Sequence, residues 1–192
     1  MSTNIILVRH GKTDMNEKGL LCGWYEAQLS DKGIDELKKK KVKLVNYRSD
    51  LYFSSSLNRC VDTFNILFDD VKLEQTLDEF REICFGDLEL HIEDEIDMPK
   101  LFNDWVLGNN KSFENYDEFN NRLRRGFEII INKLKESGLN SATVVTHGGL
   151  IMTIIYHYFK IKPDDFMKHR ISNGDAIVLS IDNGNIQSIN YI

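Results

Sequence analysis

The sequence is poor in the residues that staple, span or interrupt a chain. It has three cysteines, Cys22, Cys60 and Cys84, in 192 residues. They are too few and too scattered for a disulfide scaffold or a zinc knuckle, and they read as free thiols in a reducing compartment. Only two prolines, Pro99 and Pro163, punctuate the chain. No apolar run approaches the roughly 18 residues of a membrane span. The residues before the first apolar run carry neither a basic cluster nor a hydrophobic stretch, so a cytoplasmic rather than an exported protein is expected. There is no internal repeat, no Walker-type glycine loop and no His/Cys/Asp cluster at metal-ligand spacing, so neither metal nor cofactor is expected. A surplus of positive charge is missing too. The net charge of −6 argues against a nucleic-acid partner. It also repels anions at long range, so a site for a phosphorylated ligand has to be built from local cations.

What is present starts with Ile5-Ile6-Leu7-Val8, an apolar run that reads as a buried strand. It stops at Arg9-His10-Gly11. The same event recurs downstream, where Ala142 to Thr146 runs into His147-Gly148-Gly149. Ligands of open parallel sheets gather beyond the carboxyl ends of the strands. Two strands that each end in His-Gly place two imidazoles on one rim, with the Arg9 guanidinium beside them.

Between these strands the chain alternates. A long loop, 11–28, carries Thr13, Asn16, Gly19, Gly23 and Trp24, and loops of that length are more often functional than idle. Ser30 reads as the N-cap of a helix with Ile34, Leu37, Lys41 and Leu44 on one stripe. The Lys38–Lys41 run reads as a solvated face of that helix. Leu51-Tyr52-Phe53 is a second strand, and 57–68 a helix. Arg59 lies in the first turn of that helix, where a cation is badly placed for stability but well placed for an anionic ligand. Residues 71–73 read as an edge strand. From 77 to 87, carboxylates interleave with apolar residues in an irregular segment able to point one acid inward. Helices are expected over 94–106, 116–135 and 150–159, with Gly138 as a C-cap. Strands at 176–181 and 186–189 close the chain around a turn at 182–185. The pattern is α/β: a three-layer sandwich with a mostly parallel central sheet, an antiparallel C-terminal strand and a small helical cap. One domain over 1–192 is expected, with 88–115 as a cap or lid that selects substrate. Phe102, Trp105 and Phe113 read as local core there. His91, His157 and His169 read as structural or surface residues.

These pieces resemble the histidine phosphatase superfamily, also called phosphoglycerate-mutase-like. The match is Arg9-His10-Gly11, Thr13 and Asn16, Gly23-Trp24, Leu29-Ser30-x-x-Gly33, Ser54-Ser55, Leu57-x-Arg59 with Thr63, Arg81-Glu82-x-x-Phe85-Gly86, and Thr146-His147-Gly148-Gly149. The resemblance implies that His10 is the nucleophile that forms a phosphohistidine. It implies that Arg9, Arg59 and His147 hold the phosphoryl group, with Asn16, Gly23 and Gly148 lining the phosphate site, and that Glu82 is the general acid and later the base. Elementary chemistry agrees. A phosphoryl transition state spreads charge over three oxygens, which forked guanidiniums suit, and two nearby arginines disfavour a protonated His10.

Five positions depart from the pattern: Lys12, Glu36, Ser56, Leu90 and Met152. None is catalytic by resemblance, so they bear on substrate identity. The activity so implied is hydrolysis of a small phosphomonoester, as in α-ribazole phosphatases or broad-specificity phosphatases. Gly23-Trp24-Tyr25-Glu26 is mutase-like, which makes cofactor-dependent phosphoglycerate mutase the runner-up. Against it, Lys100 and Lys111 are the only lysines or arginines between 82 and 121. A non-catalytic phospholigand-binding regulator is the alternative of another class. The expected partner is a small phosphorylated substrate, without nucleic acid or membrane; a homodimer is left open.

Overall fold

The structure, a computed structural model, describes residues 2–110, 112–182 and 184–192. Lys111, counted above among the cap cations, and Asn183, in the C-terminal turn, lie outside the described residues.

The elements run β1 (Thr3–Arg9), α1 (Asp14–Glu17), α2 (Asp31–Leu44), β2 (Leu51–Ser55), α3 (Asn58–Leu67), β3 (Gln75–Leu77), α4 (Met98–Val106), α5 (Tyr116–Ser137), β4 (Ser141–Thr146), α6 (Gly148–Phe159), β5 (Ala176–Asp182) and β6 (Asn185–Tyr191). The strands form one sheet in the order β3-β2-β4-β1-β5-β6. Four neighbours, β3 to β1, are parallel, while β5 runs antiparallel to both β1 and β6.

Alternation along β1 explains the layers. Side chains of a strand point to opposite faces in turn. Ile5 and Leu7 join a core with Ile130 and Leu134 of α5 and Ile151 and Ile155 of α6. Ile6 and Val8 join a second core with Leu37 and Leu44 of α2 and Phe64 and Leu67 of α3. A strand covered on both faces is apolar at every position, which is why its run looked continuous.

The boundaries differ from the sequence reading at several places. The third strand is Gln75–Leu77 rather than 71–73. Val71 and Leu73 instead pack as loop residues against the α2–α3 core, and pairing with β2 begins with Glu74 N donating to Tyr52 O (2.8 Å). An edge strand can be polar, so apolarity pointed to the wrong triplet. The expected helix over 94–106 starts at Met98, with Asp97 as its cap and Pro99 in its first turn. A start at 94 would have needed the missing N–H of Pro99 inside the helix. Glu93–Glu95 forms one 3-10 turn instead. Helix α6 begins two residues earlier than expected, at Gly148. Inside the loop 11–28, the short helix α1 is closed by Thr13 and Asn16, each side chain accepting from the other's backbone N–H. Four residues show no periodicity, so it went unseen.

In the region expected as a cap, Phe102 stacks on Phe166 at 3.6 Å between ring centroids, and Trp105 donates to Glu114 O (2.6 Å). Phe102 and Trp105 are buried, as expected of local core. Phe113 is partly buried and packs on the same core. Among the described residues no helix is long and apolar enough to cross a membrane.

Candidate active site

Strands β1 and β4 are adjacent and parallel, and Arg9 pairs with Thr146. The next residue of each strand is a histidine, so the two imidazoles leave the sheet side by side. Their ring centroids are 5.2 Å apart at 62°.

His10 is buried, and its Nδ1 lies 2.7 Å from Gly11 O. A carbonyl only accepts, so Nδ1 carries the proton and Nε2 keeps its lone pair. The residue is fixed from several sides: His10 N donates to Thr146 O, and Asn173 Nδ2 (3.0 Å) donates to His10 O. Burial holds this imidazole well below the usual histidine value, reinforced by Arg59 and Arg9.

His147 is fully buried. Its Nδ1 lies 3.1 Å from Arg59 Nη2 and its Nε2 2.8 Å from Ser55 Oγ. A guanidinium only donates, so Nδ1 accepts and the proton is on Nε2, donated to Ser55. Burial again lowers this histidine well below its usual value, followed by Arg59 and then His10. Both rings are neutral in the free protein.

Arg9 donates from Nη1 to Ile171 O (2.5 Å). Among the described residues its Nε is buried without a hydrogen-bond partner. An orphaned charged donor is costly inside a protein and marks a place for an anion. Burial, then Arg170, lowers this guanidinium to about 10. Arg59 lies in the first turn of α3 and donates to Gly23 O (2.6 Å) and Tyr25 O (2.9 Å). One arginine–imidazole bond, Arg59 to His147, and one imidazole pair, His10 and His147, therefore meet beyond the ends of β1 and β4.

Glu82 sits against the first turn of α6. Its Oε2 accepts from Gly149 N (2.8 Å), and its Oε1 from Leu150 N (2.9 Å) and Ile83 N (3.0 Å). Both glycines of His-Gly-Gly are needed for this fit. A Cβ on Gly149 would come within 2.7 Å of Glu82 Oε1, and one on Gly148 within 3.0 Å of Arg9 Nε. Gly23 is tighter still: a Cβ there would meet Ile83 O at 2.3 Å.

His10, Glu82, His147, Arg9, Arg59, Gly23 and Gly148 are thus joined by direct contacts or neighbouring positions. Asn16 stands one step back. Its Oδ1 caps α1 and accepts from Asn173 Nδ2 (3.3 Å), so it reaches His10 through Asn173. His157 is on a helix face elsewhere, with Tyr116 Oη at 2.8 Å.

Several contributors escaped the sequence reading. Ser55 was matched without a role. Glu89 accepts from Trp24 N (2.8 Å) and Tyr25 N (2.7 Å), clamping the loop that Arg59 holds from the other side. Arg122 is buried on α5. It donates to Glu79 O (2.9 Å), Arg81 O (2.7 Å) and Glu82 O (2.8 Å), and pairs with Glu114. It thereby ties down the backbone that carries Glu82. A signal existed, since Arg122 interrupts the apolar stripe Phe119–Leu123–Gly126. Among the described residues no group of three or more His, Cys, Asp or Glu side chains is gathered tightly enough to hold a metal ion.

The family model "histidine phosphatase superfamily (branch 1)" matches residues 5–191. A 2,3-bisphosphoglycerate-dependent phosphoglycerate mutase of Borreliella burgdorferi is 45% identical over 65 residues, 33% of this chain and 26% of the relative. The chain therefore matches about a quarter of that relative's length. Among solved structures, the α-ribazole phosphatase of Shigella flexneri superposes with a TM-score of 0.76 at 22% identity, covering 98% of this chain and 95% of that one. A phosphoglycerate mutase of Bacillus anthracis superposes with a TM-score of 0.80 at 21% identity, covering 100% and 92%. At these identities the likeness is one of fold.

Proposed function

We propose that this chain, which belongs to the histidine phosphatase superfamily (branch 1), hydrolyses phosphomonoesters of small metabolites through a phosphohistidine on His10. One observation carries the reading: a buried neutral imidazole with a committed Nδ1 stands beside an Arg9 guanidinium that has an unused buried donor.

In this reading the phosphoryl oxygens bind Arg9 Nε and the Arg59 guanidinium, where fixed donors meet the charge that develops in transfer. His10 Nε2 attacks phosphorus, and the bond from phosphorus to the ester oxygen breaks. Glu82 gives its proton to the departing oxygen. Its Oε2 accepts a single backbone bond, so that oxygen has a lone pair to spare for the transferred proton. Water then attacks the phosphohistidine, Glu82 takes a proton from it, and inorganic phosphate leaves. Splitting the reaction this way is ordinary covalent catalysis. His147, neutral and wedged between Arg59 and Ser55, keeps Arg59 in place.

The match to a phosphoglycerate mutase over 65 residues favours a second reading, a cofactor-dependent mutase. Two features weigh against it. The stretch between 82 and 121 offers few cations for a bisphosphate, and Arg170 is already paired with Glu93. Incubation with 3-phosphoglycerate, with and without 2,3-bisphosphoglycerate, separates the two. Phosphate release faster than isomerisation is expected, and His10→Ala should reduce it to background. Isomerisation outrunning release would give the mutase the better claim. Ligand binding without turnover would remove both.

A further inference from the structure

Beside the site lies a patch of exposed apolar surface that the chemistry above does not use. Trp24, Tyr25 and Leu90 are 39%, 42% and 39% exposed. They come from two short segments sewn together. Glu89 accepts from Trp24 N and Tyr25 N, Leu90 N donates to Leu21 O (2.8 Å), and Leu20 bridges Ile92. The same segments touch the site directly. Arg59 donates to Gly23 O and Tyr25 O, and Trp24 Nε1 donates to Glu82 O (2.8 Å). The backbone of this shelf is therefore bonded to Arg59, and the Trp24 indole to the backbone of the proposed acid, while the Trp24, Tyr25 and Leu90 side chains keep part of their surface in solvent.

Leu90 adds an independent observation. Its φ is +67°, in the left-handed region where a side chain clashes with its own backbone. A glycine would make this turn without strain. Leucine has no polar group to compensate, and its side chain is not spent on the core. A strained residue that persists with an exposed apolar side chain next to a reaction centre points to a role for that side chain.

Charge narrows what the shelf can receive. Arg81 lies over the Trp24 ring at 5.1 Å but is paired with Asp78 (3.0 Å) and donates to Ser56. Arg170 is held by Glu93 (2.5 Å). The Glu89 oxygens are taken by two backbone N–H groups, and Glu26 accepts from Asn58 N (3.2 Å). A second anionic group on the substrate would have to displace one of these pairs.

We propose that Trp24, Tyr25 and Leu90 receive the leaving group, so that the preferred substrates are phosphomonoesters of apolar or aromatic alcohols. This rests on the hydrolase reading. The test is a series of ethyl, butyl and hexyl phosphates, whose alkoxides differ little in basicity. In the wild type, kcat/KM should rise about two-fold per added CH2, roughly half the gain of full burial. Leu90→Gly and Leu90→Asn both suit a left-handed backbone. Both should lose most on hexyl phosphate, about five- to ten-fold, and least on ethyl phosphate, while melting no lower than the wild type. A flat wild-type series, an unchanged slope in both variants, or faster turnover of phosphoserine or 3-phosphoglycerate than of hexyl phosphate would overturn the proposal. Absence of turnover with every ester would overturn the hydrolase reading along with it, whereas turnover with a flat series sinks the shelf alone.

Discussion

Arg59 Nη2 donates to His147 Nδ1 across 3.1 Å. That bond fixes the tautomer of His147, keeps the ring uncharged and directs its remaining proton to Ser55. It also ties the first turn of α3 to the end of β4, so two elements far apart in sequence are locked at one point.

Stability should fall as the solution is acidified below about 6.5, the ordinary histidine value. The sign follows from proton counting. His10 and His147 are held neutral well below that value in the folded state, chiefly by burial, and burial lowers His157 as well. Below 6.5 the unfolded chain takes up protons that the folded chain refuses, which favours unfolding. Above 6.5 neither state binds them and the effect vanishes. Each group contributes up to about 1.4 kcal/mol per pH unit in the window. Denaturant titrations at pH 7.5, 6.5 and 5.5 should show the decline, and His10→Gln should reduce it by about one group's share. A stability independent of pH across that range would contradict the assignment.

The pair Arg122–Glu114 should prove essential to both stability and rate. Arg122→Met leaves Glu114 buried without its partner, a loss of about 3–5 kcal/mol by comparison with other buried pairs. Adding Glu114→Met removes the stranded charge and should restore much of the stability. The rate should not follow, because Glu79, Arg81 and Glu82 still lack their donor; kcat on an aryl phosphate should stay at least about ten-fold down, an order of magnitude or about 1.4 kcal/mol of barrier. A double variant with wild-type kcat would reduce Arg122 to a structural support.

Gly149→Ala should separate activity from folding. The new methyl would stand 2.7 Å from Glu82 Oε1 and 3.1 Å from its Cδ, pushing the carboxylate off the α6 amides. Alanine is the better helix former by about 1 kcal/mol, which offsets part of the displacement. Stability within about 1 kcal/mol of wild type and a fall in kcat of roughly ten-fold or more are expected from paired melting and rate measurements. An unaltered kcat would show that the acid works without its seat on the helix.

The two His-Gly ends were legible because buried parallel strands are written as unbroken apolar runs, and the break in each run falls where the chemistry sits. Arg59 was legible for the opposite reason: a cation at a helix start is locally unfavourable and asks for an explanation. Glu82 was legible only as one acid among several from 78 to 87; the resemblance picked it out. What stayed hidden depends on partners distant in the chain. Arg122 reaches backbone carbonyls about 40 residues away, and nothing in its neighbours announces them. Gln75–Leu77 became a strand through pairing with Phe53–Ser55, which composition does not encode. The late start of α4 could have been read from Pro99, whose missing N–H confines it to a first turn.

The distance between the two imidazoles is close to the separation of neighbouring strands, about 4.7–4.9 Å in any sheet, against 5.2 Å between the ring centroids. The gap is thus inherited from backbone pairing rather than negotiated by loops. Surface segments around the mouth can diverge, lengthen or swap without altering it. Heat or denaturant that parts β1 from β4 would separate the rings, and while that pairing holds the two strand ends stay one strand spacing apart.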